Sequence, residues 1–338
     1  MPGIDAVVTG AGGFIGGHLT RALIAEGKSV RAVDRKPFHE WYQLHPQADN
    51  RMEDVSLREA CTRVCDGGVD EVYHLAADMG GQGFIENNKA ACMLSVLSST
   101  NMLVAARERG VGRYFYSSSA CVYAEGKQTE TAVAPLREAD AYPAMPEDGY
   151  GWEKLFSERM ARHFREDYRL TTRVARYRNV YGPWGTWTGG REKAPAAACR
   201  KVAHAALTGA REIEIWGDGE QTRSFTYIDD CVDGTLLLAR SEVTEPLNIT
   251  SDQSVSINQL YAIVEEIAGV RLTHRHVPGP LGVRGRNSDN TQIFKELGWQ
   301  PSTALLDGLE RTYRWVYDQV YADRDGRPHL GARPHLVG

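Results

Sequence analysis

Four glycines, Gly10, Gly12, Gly13 and Gly16, sit directly between the short apolar run Ala6–Thr9 and an amphipathic stretch that begins at residue 14. A buried strand that turns on glycines into a helix brings the unpaired amides of the helix N-terminus up to the turn, where a pyrophosphate can sit. The spacing is G-x-x-G-x-x-G, a weak signal alone, and a carboxylate at the end of the next strand gives it weight. Asp34 ends the second apolar run about twenty residues on, where a carboxylate accepts both ribose hydroxyls of a dinucleotide and repels a 2′-phosphate. NAD is therefore the expected cofactor, with Phe14 and Ile15 opening the helix beside it. Asp54, after the next strand position, either bonds the adenine edge or is a solvated loop residue. His74-Leu75-Ala76-Ala77 closes a further strand; Ala76 and Ala77 are small enough for the dinucleotide to approach, and His74 reads as a core histidine.

Short apolar runs at Ala6–Thr9, Ser29–Val33, Glu71–Ala77, Tyr114–Ser118 and Thr172–Tyr177 alternate with helical stretches at 14–26, 56–65, 89–109 and 149–168. This rhythm predicts an α/β fold, a Rossmann-type doubly wound parallel sheet, with a smaller α+β substrate-binding domain. Residues 1–176 and about 222–245 are assigned to the cofactor domain, and about 177–221 and 246–322 to the substrate domain. The Gly-, Trp- and Pro-rich stretch 181–190 reads as a loop facing the substrate. A strand is expected at Glu212–Trp216, and Pro246–Thr250 is placed in the smaller region. Residues 323–338 read as a flexible tail.

The chain of 338 residues carries a formal charge of -5, which argues against a nucleic-acid surface, so an anionic ligand has to be met by local arginines and lysines. Six scattered cysteines provide no paired metal-ligand spacing and fit a reducing, cytoplasmic setting without a structural metal. No basic leader or long apolar N-terminal run is present, so neither export nor a membrane location is expected.

The chemistry is concentrated in two segments. Tyr150 and Lys154 stand at i and i+4, on one face of a helix, so the ammonium can lower the phenol's pKa and let it serve as a base. Ser119, in Ser117-Ser118-Ser119-Ala120-Cys121-Val122-Tyr123, can share the same substrate oxygen. Cys121 adds a polarisable thiol facing whatever lies beside the tyrosine. A thiol becomes a useful base only in cationic surroundings; NAD and the lysines are the expected source.

With these features together, the chain resembles the extended short-chain dehydrogenase/reductase family over roughly residues 4–320. Within it, the blocks His74–Phe84, Ser118–Tyr123, Arg178–Pro183, Gly189–Ala197, Trp216–Phe225 and Gly282–Asp289 are similar to the branch that epimerises GDP-mannose at C3 and C5. The resemblance implies Tyr150 and Lys154 as the redox pair, Ser119 as helper, and Cys121 with Lys193 as the two epimerisation groups. It further implies that Met79, Gly80, Ala120, Asn179, Glu192 and Ala194 line a GDP-sugar site together with Lys201, Gln221, Thr222, Arg223 and Arg286. Two of these arginines, 223 and 286, are expected at the diphosphate. A homodimer built on helices 89–109 and 149–168 is implied as well.

Three positions depart from the branch: Arg178 stands where a His is expected, Thr188 replaces a Lys, and Trp152 enlarges the residue between Tyr150 and Lys154. A 4,6-dehydratase is disfavoured because Ala120 and Cys121 occupy positions where such enzymes carry carboxyl groups. A C4-epimerase leaves Cys121 and Lys193 without a task. A non-catalytic NAD-sensing protein would not need the Tyr-Lys pair.

Overall fold

The apolar runs become parallel strands of one seven-stranded sheet. In the computed structural model, which describes residues 3–280, 282–325 and 335–336, these strands are β1 (Ile4–Thr9), β2 (Val30–Asp34), β3 (Asp49–Met52), β4 (Val69–His74), β5 (Arg113–Ser119), β6 (Thr172–Tyr177) and β7 (Leu247–Ile249), in the order β7-β6-β5-β4-β1-β2-β3. Five helices position the site: α1 (Phe14–Ala25), α2 (Ser95–Glu108), α3 (Tyr150–Tyr168), α4 (Ala194–Thr208) and α5 (Ile228–Arg240). Alternate side chains of the sheet serve opposite layers. Ala6 and Val8 pack with Leu19 and Leu23 of α1 and Ile228 and Leu236 of α5, whereas Val7, Val33 and Val72 pack with Met102 and Leu103 of α2 and Ala161 of α3. Burying a side chain of this size stabilises by about 1.5–3 kcal/mol.

The outer strand β3 reads Asp-Asn-Arg-Met and has little apolar surface with which to hold itself. It is pinned electrostatically: Arg31 of β2 donates through Nε to Asp49 at 2.8 Å and through Nη1 to the carbonyls of Val64 and Asp66, each at 2.7 Å.

The other edge corrects the placement of 246–250 in the smaller region. Leu247, Asn248 and Ile249 pair with Ala175, Arg176 and Tyr177 of β6. This continuous buried segment takes its strand partner along the open edge of β6, and the Asn248 amide donates to Glu138 Oε1 at 3.0 Å. Asn248 is also tied to the loop before α3 by the Tyr123 hydroxyl, which donates to Oδ1 at 2.6 Å.

The smaller region packs α4 against helices Ile257–Ala268 and Leu305–Arg324. Two short sheets accompany them, Glu212–Trp216 with Thr273–Val277, and Ser254–Ser256, Thr222–Ser224 and Gly285–Arg286. The long last helix runs to Arg324, past the expected start of the tail at 323. Of that tail, residues 326–334, 337 and 338 lie outside the described residues, and His335–Leu336 pairs with Gln43–Leu44.

Candidate active site

The glycine turn after β1 makes an anion cradle. Gly10 has φ +75°, and a Cβ on Gly16 would fall 2.2 Å from the Gly10 carbonyl oxygen, so the turn closes only without side chains. Gly13 caps α1 without a side chain, and no acidic residue occupies the first turn, which leaves amide donors for a phosphate. Asp34 lies over the turn, Oδ2 accepting from the Gly12 amide at 3.1 Å and Oδ1 from the Lys36 amide at 3.0 Å. Ala76 comes up against Gly10 from the end of β4, and its amide donates to Thr9 Oγ1 at 3.3 Å; Ala77 is next in the chain. Ile15 packs at the margin of the core and Phe14 against Gly185 and His18. Asp54 is engaged locally, its Oδ1 accepting from the Ser56 amide at 2.9 Å. His74 is fully buried, with Nδ1 2.8 Å from Thr9 Oγ1, and burial takes its pKa down to about 3. That is core behaviour. These features fit a dinucleotide with free ribose hydroxyls. Across the mouth of the cradle Asp78 pairs with both Arg35, at 2.8 Å, and Arg191, at 3.0 Å.

Ser119, Ala120, Cys121 and Tyr150 meet where β5 ends and α3 begins. Gly151 makes the approach possible: a Cβ there would stand 2.3 Å from the Cys121 carbonyl oxygen. Ser119 accepts from the Cys121 amide at 3.2 Å. Burial holds the Tyr150 phenol well above its ordinary pKa, the neighbouring Cys121 and Glu153 add to this, and the Ser119 hydroxyl partly offsets it. Lys154 lies on the expected helix face, but its ammonium donates to the Ser117 carbonyl at 3.0 Å and stands 5.6 Å from the Tyr150 ring centre. The expected lowering of the phenol by Lys154 is therefore outweighed by desolvation. Lys154 is itself pushed down by burial, and Glu153, 3.8 Å away, opposes that shift. Glu153 is held in turn by the hydroxyls of Ser99, Tyr116 and Ser157 at 3.3, 3.1 and 3.0 Å.

A cavity of about 250 Å³ runs from this corner into the smaller region. Its walls include Met79, Gly80, Ser119, Ala120, Cys121, Tyr150, Asn179, Glu192, Lys193, Ala194, Lys201, Gln221, Arg223 and Arg286. Thr222 is the exception to the expected set. It points away and donates to the Thr131 carbonyl at 2.7 Å, because alternate residues of its strand face opposite sides and Arg223 takes the cavity side. Lys193 caps α4, and burial lowers its pKa while Cys121 and Cys231 work against the shift. Glu192 pairs with Arg200 at 2.9 Å. The cation in contact with Cys121 is neither expected lysine: Arg286 Nη1 lies 3.6 Å from Sγ, while its Nε donates to Gln128 at 2.6 Å and the guanidinium pairs with Glu147.

Sequence reasoning missed the part of the wall formed by Tyr177, Tyr261 and Pro280, which lie far apart in the chain and carry no motif, and gave no site role to Gln82 and Trp216 although both stand in blocks of the resemblance. It treated Arg178 only as a departure; the structure puts it in the wall, buried. The other two departures lie elsewhere. Trp152 is 41% exposed on the outside of α3, and Thr188 is exposed.

Residues 6–250 match the NAD dependent epimerase/dehydratase family. Over 318 residues the chain is 49% identical to GDP-mannose 3,5-epimerase 1 of Oryza sativa subsp. japonica, a match covering 94% of this chain and 82% of that protein. It is 47% identical to GDP-mannose 3,5-epimerase of Arabidopsis thaliana, with 94% and 83% covered. Among solved structures, UDP-glucose 4-epimerase of Thermotoga maritima, determined with UDP-glucose, superposes with a TM-score of 0.84 at 27% identity, over 93% of this chain and 99% of that one.

Proposed function

The chain belongs to the NAD-dependent epimerase/dehydratase family, and on that premise we propose that it is an enzyme converting GDP-α-D-mannose to GDP-L-galactose, GDP-L-gulose or both. The observation that carries this reading is a single cavity holding two further acid/base groups, Cys121 and Lys193, beside Tyr150 and Ser119. Tyr150 and Ser119 are assigned to the C4 hydroxyl, which they bind; for Tyr150 to take its proton, the positive charge of bound NAD would have to offset the burial that raises the phenol's pKa. NAD, in the cradle of Gly10–Gly16 and Asp34, supplies a reversible hydride acceptor, so no net redox occurs. With C4 a ketone, the hydrogens on C3 and C5 become acidic. Inversion needs a proton removed on one face and delivered on the other. A thiol and a half-buried, pKa-lowered amine are two groups of different strength suited to the two faces. Arg223, Arg286 and Lys201 are assigned to the diphosphate and Asn179 and Gln221 to the nucleotide-sugar backbone; guanidinium forks match phosphate oxygens.

Incubating the holoprotein with GDP-α-D-mannose in D2O tests the reading by proton NMR. Deuterium at C3 and C5 with new GDP-hexoses is expected; deuterium at C5 alone restricts the product to the gulose, and exchange at neither carbon overturns the assignment.

A homodimer belongs to the same reading. Lys89–Glu108 is long and apolar enough to cross a membrane by length and composition alone, but it packs on α3. Its exposed Met93, Leu94 and Leu97 and the exposed Trp152 and Phe156 of α3 give two neighbouring helices an apolar outer surface that a second copy would cover. Sedimentation should give about twice the 37.5 kDa chain mass, and Trp152→Glu with Phe156→Glu should shift it to the monomer; a monomeric wild type rules the dimer out. All six cysteines are unpaired, which supports a reducing, cytoplasmic setting.

A further inference from the structure

Two arginines close β6, and the fold treats them in opposite ways. Arg176 is buried with a dedicated carboxylate: Nε and Nη2 donate to Glu158 at 2.9 and 2.8 Å, and Nη1 donates to the Glu138 carbonyl at 2.7 Å. Arg178, two residues on, is 1% exposed, and its Nε, Nη1 and Nη2 have no hydrogen-bond partner among the described residues. A buried cation left without a counter-charge is destabilising by several kcal/mol as an order of magnitude. Such an arrangement persists where a ligand supplies the missing charge.

The register fixes which part of the cavity Arg178 stands in. Tyr177 pairs directly with Ser119 across β6 and β5, and neighbouring strands lie about 4.8 Å apart, so residue 178 leaves the sheet beside Ala120 and Cys121. Arg178 lines the same cavity as Cys121, Tyr150 and Lys193. The titratable groups that act on it are Tyr123, the repelling Arg223 and Cys121; none is a carboxylate.

We propose that Arg178 is a catalytic residue whose guanidinium binds the C4 oxygen of the hexose when that oxygen becomes an enolate. The inference rests on the GDP-mannose reading. In the step concerned, the C–H bond at C5 or C3 breaks and its proton passes to the Cys121 thiolate or the Lys193 amine. The released electron pair forms a double bond to C4, and the carbonyl π pair moves onto oxygen. Reprotonation from the opposite face returns the pair to carbon. A guanidinium already fixed and desolvated at that oxygen stabilises the charge without reorganising.

The test uses holoprotein with Arg178→Met and Arg178→Ala. Exchange of deuterium into C3 and C5 should fall by ~10²–10³, the usual effect of removing one oxyanion donor. Calorimetric affinity for GDP should stay at the wild-type value. Guanidinium ion should restore part of the exchange to Arg178→Ala and none to the wild type. The melting temperature of Arg178→Met should rise, since an unpaired buried charge has gone. Unchanged exchange overturns the proposal. So does a loss of GDP affinity in step with exchange, which puts Arg178 on the diphosphate, or a fall in melting temperature without guanidinium rescue, which makes it structural. Absence of exchange in the wild type overturns the GDP-mannose reading itself, and this inference with it.

Discussion

Cys121 is 8% exposed, yet a guanidinium reaches its sulfur. Arg286 can do so because Glu147 and Gln128 hold the rest of its fork. A thiolate formed here has a cation in contact, the condition under which cysteine works as a base. Cys121→Ala should therefore lower deuterium exchange at the inverted carbon by ~10²–10⁴, the usual contribution of a positioned acid or base, while bound NAD content and C4 oxidation persist. NMR exchange with parallel absorbance at the NADH band checks this, and undiminished exchange removes Cys121 from the mechanism. The thiol, Tyr150 and Lys154 were legible because each sits in a short local pattern. Arg286 as the thiol's partner was not, since a contact between residues 121 and 286 is made by tertiary packing and leaves no spacing to read. Arg178 showed only as an unexpected residue type: whether a buried arginine has a partner is invisible until its neighbours are placed.

α3 delivers both Tyr150 and Lys154, and its first turn is pressed against the carbonyl of Cys121. Any side chain at Gly151 would meet that carbonyl at 2.3 Å and Pro146 Cβ at 3.1 Å. Gly151→Ala should consequently push α3 off the thiol segment, lowering stability by about 1–3 kcal/mol as overpacking does and reducing kcat without loss of NAD. Thermal denaturation together with steady-state kinetics measures both; an unaltered kcat means that the helix start does not set the Tyr150 position. The limits of α3 were readable to within a residue, 149–168 against Tyr150–Tyr168, because amphipathic periodicity is a local property, whereas the stretch expected as one helix at 89–109 is divided at Leu94 into Lys89–Met93 and Ser95–Glu108. Strand membership was harder. Leu247–Ile249 is three residues long and buried throughout, with no alternation to tell which sheet it joins. Asp49–Met52 is held by ion pairs rather than apolar burial.

Three buried histidines, His18, His45 and His74, make the whole fold sensitive to acid, and burial lowers the pKa of each. His18, bonded to the Pro183 carbonyl at 3.0 Å, is lowered by burial from 6.5 to about 4, and His74 from 6.5 to about 3. Both are neutral in the folded chain while the unfolded chain binds protons below 6.5, so the unfolded state gains protons first. Stability should fall as pH drops from 6.5, His18 ceasing to contribute to the slope below about 4 and His74 below about 3. Melting temperatures taken from about pH 7 to about pH 4 check this, and His74→Gln should flatten the curve; an identical slope in that variant refutes the assignment.

At the same scale, the sheet is interrupted in sequence. β6 ends at Tyr177, and β7, which completes the edge beside it, begins at Leu247. Everything between them, including α4, about half of the cavity wall and α5, is synthesised first. On the ribosome, six strands would thus emerge with β6 still offering unpaired amides and carbonyls, the kind of edge that recruits stray chains. Only the first part of the substrate region, through α4, Glu212–Trp216 and Thr222–Ser224, would be made before the cofactor sheet could be sealed, and its remaining helices and strands would follow.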